Sequence, residues 1–127
     1  MISNTQLNKK LQDLEDAIFS FETLLAKDIS FLDLVLQDGV RKGMAQSFEY
    51  CSELLWKAGK AYLESVHGVQ AASPKEVFRS LLSSGVISPE ECEQCLEMVD
   101  ERNELSHIYS KKHFEKLVQG ATSLLGA

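Results

Sequence analysis

Apolar side chains recur every three or four residues along this chain, and that spacing limits its possible folds more than any other feature. The first run comprises Leu7, Leu11, Leu14, Ile18, Phe21 and Leu25. In an α-helix such spacing gathers the side chains on one face, whereas a half-buried strand requires alternating apolar and polar residues. Because the sequence shows no persuasive alternation, it predicts an all-α fold that begins with this amphipathic helix.

A second helix is predicted from Asp38, which would serve as its N-cap, through Ser65. His67-Gly68 follows as a typical helix end. The expected core face of this helix consists of Val40, Met44, Phe48, Cys51, Leu55, Ala58 and Tyr62. Residues 27–37 are apolar but irregular, so we expect a connection or a short helical turn there.

Two Ser-Pro pairs mark further helix starts. Ser73-Pro74 and Ser88-Pro89 each place serine at the N-cap, proline at the first helical position and glutamate three residues after the serine. The first of these helices is short and should stop at Gly85, and a last helix is predicted over 111–125. We therefore expect residues 1–127 to form one domain, an up-and-down four-helix bundle with one short extra helix.

A polar run, Arg102-Asn103-Glu104-Leu105-Ser106-His107-Ile108-Tyr109, follows the apolar stripe of the helix that starts at Pro89. The helical register places Arg102, Asn103, Ser106 and His107 on or beside that stripe. Polar groups that face a core are costly unless they are paired or used. Three explanations stay open: helix C-terminal capping, contacts across a dimer axis, or a phosphate-ester site. In such a site arginine binds the phosphate and histidine transfers a proton near neutral pH.

The polar run has a recognisable spacing, Arg-x-x-x-x-His-x-Tyr, and three upstream segments accompany it. These are Gln46–Lys57, with its Phe-Glu and Glu-Leu-Leu-Trp-Lys elements, Ser73–Val77 and Ser84–Ile87. In this order, from about Val40 to Tyr109, they resemble HEPN proteins of the HepT type. That group overlaps the nucleotidyltransferase substrate-binding proteins.

The resemblance implies a homodimer, formed through the motif-bearing helix, that acts as a metal-independent endoribonuclease. His107 would then act as general base on a ribose 2′-hydroxyl, which attacks the adjacent phosphodiester. Arg102 would neutralise the charge that grows on the phosphoryl oxygens. Asn103 and Ser106 would support this pair, Asn103 by orienting His107 from one helical turn away.

The resemblance also implies a partner protein, a minimal nucleotidyltransferase that serves as antitoxin and transfers AMP onto Tyr109. Such an adduct would block the cleft and repel a phosphate backbone. Family members are also noncatalytic subunits that present a small substrate to the nucleotidyltransferase. In that alternative Arg102 and His107 bind a nucleotide or another small molecule without cutting RNA. A third alternative gives the motif only a structural role at the dimer contact.

Charge limits the possible contact with nucleic acid. The formal net charge is −6, whereas proteins that bind nucleic acid nonspecifically generally present a basic surface. A local basic cluster follows the Arg-x-x-x-x-His-x-Tyr run, so Lys111 and Lys112 are the expected phosphate or RNA contacts beside Arg102. The acidic remainder would suit a basic partner protein.

Cys92-x-x-Cys95 has metal-ligand spacing but lacks a second pair of cysteines or histidines. Both thiols lie on the apolar stripe, so we expect core packing, no metal and no cofactor. Glu53 and Lys57 are four residues apart, the spacing of an ordinary helix ion pair. No apolar run approaches the ~20 residues of a membrane span, and residues 1–10 are polar, so a cytoplasmic location is expected.

Overall fold

Four α-helices and one π-helical turn form the part of the chain that the computed structural model describes, residues 3–105. In chain order the elements are α1 (Asn4–Leu25), α2 (Leu34–Tyr62), the π-helical turn (Leu63–His67), α3 (Pro74–Ser83) and α4 (Pro89–Leu105). The prediction of an all-α helical bundle is confirmed for these residues. The last predicted helix, over 111–125, lies outside them.

Helix α1 begins with a capping box. The Ser3 hydroxyl accepts from the Gln6 amide at 3.2 Å, and the Gln6 side chain accepts from the Ser3 amide at 2.9 Å. The helix packs mainly against α2, where the rings of Phe21 and Phe48 lie 6.3 Å apart. Its predicted apolar face is only partly correct, because Leu11 is exposed.

Helix α2 starts earlier than the sequence predicts. Asp33, not Asp38, is the N-cap, and its carboxylate accepts from the Leu36 amide at 2.9 Å. Asp38 instead forms an ion pair with Lys42 at 2.9 Å within the helix. The prediction for residues 27–37 is therefore wrong in its second half. The apolar residues of the first turn face solvent, with Leu34 80% exposed, so this turn lacks the periodicity of a core face.

The end of α2 was predicted correctly. The chain passes through the π-helical turn and stops at Gly68, whose φ of 65° is a left-handed conformation that suits glycine. The Val69 amide donates to the Leu63 carbonyl at 3.1 Å, so this carbonyl of the widened turn has a hydrogen-bond partner. Leu63 is completely buried, so the turn anchors the end of α2 in the core.

The two Ser-Pro starts are confirmed. Ser73 accepts from the Glu76 amide at 3.3 Å, and Ser88 and Glu91 form a reciprocal pair with bonds of 3.1 and 3.0 Å. Gly85, with a φ of 76°, follows the end of α3 as expected. These caps set the directions in which α3 and α4 leave their loops.

The core lies where α2, α3 and α4 meet, with α2 in contact with every other helix. The buried stripe of α4 includes Cys92, Cys95 and Val99, and α3 contributes Val77 and Phe78. The prediction that both cysteines of the Cys-x-x-Cys pair are core residues is therefore confirmed. Along residues 3–105 no helix has both the length and the apolar character that crossing a membrane requires.

The α2–α3 contact is close at Gly59. A β-carbon at this position would lie 2.9 Å from Val77 Cγ1 and 3.2 Å from Leu81 Cδ1. Val77 is fully buried and its branched side chain cannot turn away cheaply. By contrast, a β-carbon at Gly43, in the same helix, would meet nothing within 4 Å.

We predict different effects of Gly59→Ala and Gly43→Ala on the free energy of unfolding. Gly43→Ala should stabilise the protein by about 1 kcal/mol, the difference in helix propensity. Gly59→Ala has the same gain but adds overpacking, which costs about 1–3 kcal/mol, so this variant should be the less stable of the two. Urea denaturation followed by circular dichroism measures both. Equal stabilisation in the two variants would contradict the close α2–α3 contact.

Candidate functional site

Arg102 lies in the last turn of α4 and contacts α2. Its Nη2 is 3.4 Å from Oε2 of Glu53. Arg102 is three residues after Val99 and seven after Cys95, which are both buried, so the helical register carries it to the edge of the core stripe. The contact joins the end of α4 to the middle of α2.

The Glu53 carboxylate is surrounded by three donors. The indole Nε1 of Trp56 donates to Oε2 at 3.1 Å, and Lys57 Nζ lies 3.2 Å from Oε1. These two residues follow Glu53 by three and four positions, so α2 itself orients them. Arg102 approaches from another helix as an ion-pair partner. We call Glu53, Trp56, Lys57 and Arg102 the Glu53 cluster.

Arg102 is only partly satisfied in this cluster. Its Nε is buried and, among the described residues, has no hydrogen-bond partner. Its side chain is 39% exposed, and its 3.4 Å contact with Glu53 is long for an ion-paired hydrogen bond. A buried donor without a partner costs about 1–3 kcal/mol. The guanidinium group therefore retains capacity for a further acceptor.

The charges of the Glu53 cluster sum to +1, from two cations and one carboxylate. Partial desolvation would raise the pKa of Glu53. Hydrogen bonds from Trp56 and Lys57, together with the charges of Lys57 and Arg102, outweigh desolvation and leave this pKa lowered. The carboxylate is therefore ionised at neutral pH, and the cluster attracts anions.

A second ion pair joins α4 to α3. Lys75 Nζ is 2.6 Å from Asp100 Oδ1, two residues before Arg102. Both side chains are partly exposed, so the pair contributes about 0–1 kcal/mol, and the buried stripe of α4 is what positions the backbone of Arg102 opposite α2. The position of the Arg102 guanidinium group therefore depends on tertiary packing as well as on α4 itself.

The structure places only some of the predicted site residues. Arg102 joins the Glu53 cluster, and the Asn103 side chain is exposed. The remaining candidates lie outside the described residues: Ser106, His107, Tyr109, Lys111 and Lys112. Their roles, and the dimer through the motif-bearing helix, stay predictions.

Sequence reasoning missed the role of Glu53. The ion pair with Lys57 is present as predicted, but the same carboxylate also contacts Trp56 and Arg102. The available signal was the Glu-Leu-Leu-Trp-Lys element, which combines an acid, an indole and an amine within one helical turn. Spacing within one helix does not reveal a partner on another, so the contact with Arg102 required the structure.

A groove of about 290 Å³ lies between α1 and α2. Its polar lining consists of Asp13, Asp16, Ser20, Ser47 and Tyr50. Cys51 also lines it, but its thiol donates to the Ala17 carbonyl at 3.3 Å, and burial raises the pKa of Cys51 to about 11. This thiol is unsuited to nucleophilic attack. The two aspartates disfavour a phosphate here, so the net positive Glu53 cluster is the better candidate for a phosphate site.

Trp56 is the single tryptophan of the chain, and its indole donates to Glu53. Fluorescence therefore reports on the cluster. Because the pKa of Glu53 is lowered from 4.5, the ion pairs stabilise the fold above that pH and are lost as pH falls through the folded-state pKa. We predict a change in tryptophan emission with a midpoint below pH 4.5.

Glu53→Gln should abolish this transition, whereas Glu49→Gln, the same change one turn earlier in α2, should leave it. Far-UV circular dichroism identifies the pH range in which helix content is constant. An identical transition in Glu53→Gln would contradict the assignment of the emission change to Glu53.

Comparisons with known proteins agree with this structure. A family model described as nucleotidyltransferase substrate binding protein like matches residues 9–125. A crystal structure of a protein from Thermus thermophilus is similar, with 29% sequence identity and a TM-score of 0.76 over 89% of this chain and 90% of that chain. A search of curated proteins found no match. The resemblance seen in the sequence is confirmed: the chain belongs to the nucleotidyltransferase substrate binding protein-like family.

Proposed function

We propose that this protein is the substrate-binding subunit of a two-component nucleotidyltransferase, and that Arg102 binds a phosphate group of the ligand. The family name supports a nucleotidyltransferase as partner. The observation that carries the phosphate assignment is the state of Arg102, which is held at the α2–α4 contact with its Nε buried and, within residues 3–105, unpaired.

The chemistry of the cluster favours a phosphate. A guanidinium group presents several N–H donors in a plane and binds phosphate oxygens in pairs. Glu53 lies 3.4 Å from Nη2, and Nε is left without an acceptor within the described residues. A tetrahedral phosphate has enough oxygens to accept from both once the side chain turns away from Glu53 and uncovers Nε, and a phosphate monoester carries more charge than a carboxylate.

The net charge of the chain favours a small phosphorylated ligand over a long polyanion. With a net charge of −6 and a cluster charge of only +1, a long polyanion meets more repulsion than attraction. A nucleotide or another small phosphorylated compound needs no extended basic surface. This consideration favours a small-molecule ligand for the described part of the site.

A second candidate function is the endoribonuclease, which the Arg102–His107 spacing favours. His107 would take the proton of a ribose 2′-hydroxyl, whose oxygen attacks the neighbouring phosphorus and displaces the 5′-oxygen of the next nucleotide. Arg102 would stabilise the phosphoryl charge, with Lys111 and Lys112 as further phosphate contacts. Two copies would combine their motifs in one cleft, and AMP transfer by the partner enzyme onto Tyr109 would block it.

We predict that Arg102→Ala weakens binding of ATP by about tenfold or more, because a hydrogen bond to a charged group contributes about 1.5–3 kcal/mol. Isothermal titration calorimetry measures the dissociation constant. Arg79→Ala, which removes an exposed arginine from α3, is the matched control and should bind like wild type. Equal affinity for ATP in wild type and Arg102→Ala would contradict the proposed phosphate site.

The second candidate is tested by inducing wild type, Arg102→Ala and His107→Ala separately in bacteria and examining growth and total RNA. If the protein is only a binding subunit, all three cultures grow normally and their RNA stays intact. Growth arrest with RNA fragmentation in wild type alone would establish the endoribonuclease instead.

A further inference from the structure

We infer that Glu53 is the resident counter-ion of the phosphate site: a phosphate ligand replaces it at Arg102, and Lys57 is the second cation that binds the ligand. This inference rests on the proposed function, because it assumes that Arg102 binds phosphate. It adds an exchange between an internal carboxylate and the ligand, and it assigns Lys57 to the binding site.

The contact between Glu53 and Arg102 is the longest of the three around the carboxylate. Trp56 and Lys57 lie at 3.1 and 3.2 Å, whereas Arg102 lies at 3.4 Å. Trp56 and Arg102 also share the same oxygen, Oε2. When Arg102 leaves, Oε2 keeps the indole and Oε1 keeps the ammonium group, so each oxygen of Glu53 retains a donor. The release of Arg102 therefore costs little.

The exchange is favourable for Arg102. In the absence of ligand, its Nε has no partner within the described structure, and Nη2 has the long contact with Glu53. A phosphate accepts from two guanidinium donors at once. A doubly charged phosphate also doubles the Coulomb attraction that a singly charged carboxylate provides at the same distance. The ligand thus satisfies the arginine better than Glu53 does.

Lys57 is placed to join this interaction. It lies at one oxygen of the Glu53 carboxylate while Arg102 lies at the other, so the two cations flank a single carboxylate group. The Lys57 side chain is 50% exposed, and its long aliphatic stem allows the ammonium group to move. A phosphate that takes the place of the carboxylate at Arg102 has oxygens left for the ammonium group, whose three N–H donors allow it to bind the phosphate while it keeps its contact with Oε1 of Glu53.

The alternative is that Glu53 simply ties α2 to α4. A pair as exposed as this one contributes about 0–1 kcal/mol to stability, so such a tie would be weak. The two roles make opposite predictions for ligand affinity. A counter-ion competes with the ligand, and its neutralisation strengthens binding. A tie positions Arg102, and its neutralisation weakens binding.

The test is the affinity of the full-length protein for inorganic pyrophosphate, measured by isothermal titration calorimetry. Glu53→Gln removes the charge but keeps an acceptor for the Trp56 indole, and we expect affinity to rise about threefold to tenfold, the effect of one charge at partial exposure. Lys57→Ala should lower affinity by a similar factor. Asp38→Asn and Lys42→Ala make the same charge changes near the start of α2, at residues that are 51% and 64% exposed, and should alter affinity less than about twofold, because exposed charges at a distance are screened.

The failures of the two proposals are distinguishable. If Arg102→Ala binds pyrophosphate as wild type does, the phosphate site itself is wrong. If Arg102→Ala loses binding while Glu53→Gln binds equally or more weakly, only the counter-ion role is overturned. An equal rise in Asp38→Asn would also overturn it, since the effect would then come from the net charge of the protein and not from Glu53. Should Glu53→Gln fail to fold, Glu53→Ala removes the same charge, and the same rise in affinity is expected.

Discussion

The candidate site depends on the packing of α4 against α2. Neither helix contains the site alone: α2 supplies an acid, an indole and an amine in one turn, and α4 supplies the arginine. The buried stripe of α4 holds that helix in place, and the partly exposed Lys75–Asp100 pair adds a little. Because Arg102 sits at the edge of the core, its guanidinium is desolvated enough to need partners and exposed enough to meet a ligand.

This arrangement leaves part of the arginine unsatisfied within the described chain. Buried donors are normally paired, and exceptions occur where a protein binds or reacts with something else. Here the unpaired Nε and the long contact to Glu53 occur on the same side chain, beside a second cation. In the Glu53 cluster, one carboxylate offsets part of the charge of two cations, so the protein folds without ligand. The remaining positive charge still attracts a phosphate. The same three charged side chains therefore serve both the packing of α4 on α2 and the proposed binding of phosphate.

Most of the fold could be predicted from local signals. The serine caps at 73 and 88, the glycines at 68 and 85 and the apolar periodicity of α2 and α4 act over a few residues, and each was confirmed. The start of α2 could not be predicted, because Leu34 faces solvent and the first turn therefore lacks the apolar spacing of a buried helix face. In the site, the polar run identified Arg102, but its carboxylate partner Glu53 lies on a helix far earlier in the chain, and only packing brings the two together.

The most direct measurement is the NMR signal of the Arg102 Nε–H group, assigned with Arg102→Lys and followed as pyrophosphate is added. If the guanidinium exchanges Glu53 for a phosphate, this resonance shifts downfield and its exchange with solvent slows as the site fills, because the unpaired Nε gains an acceptor. If the resonance keeps its position and exchange rate at saturating pyrophosphate, Arg102 does not bind phosphate and the account is wrong.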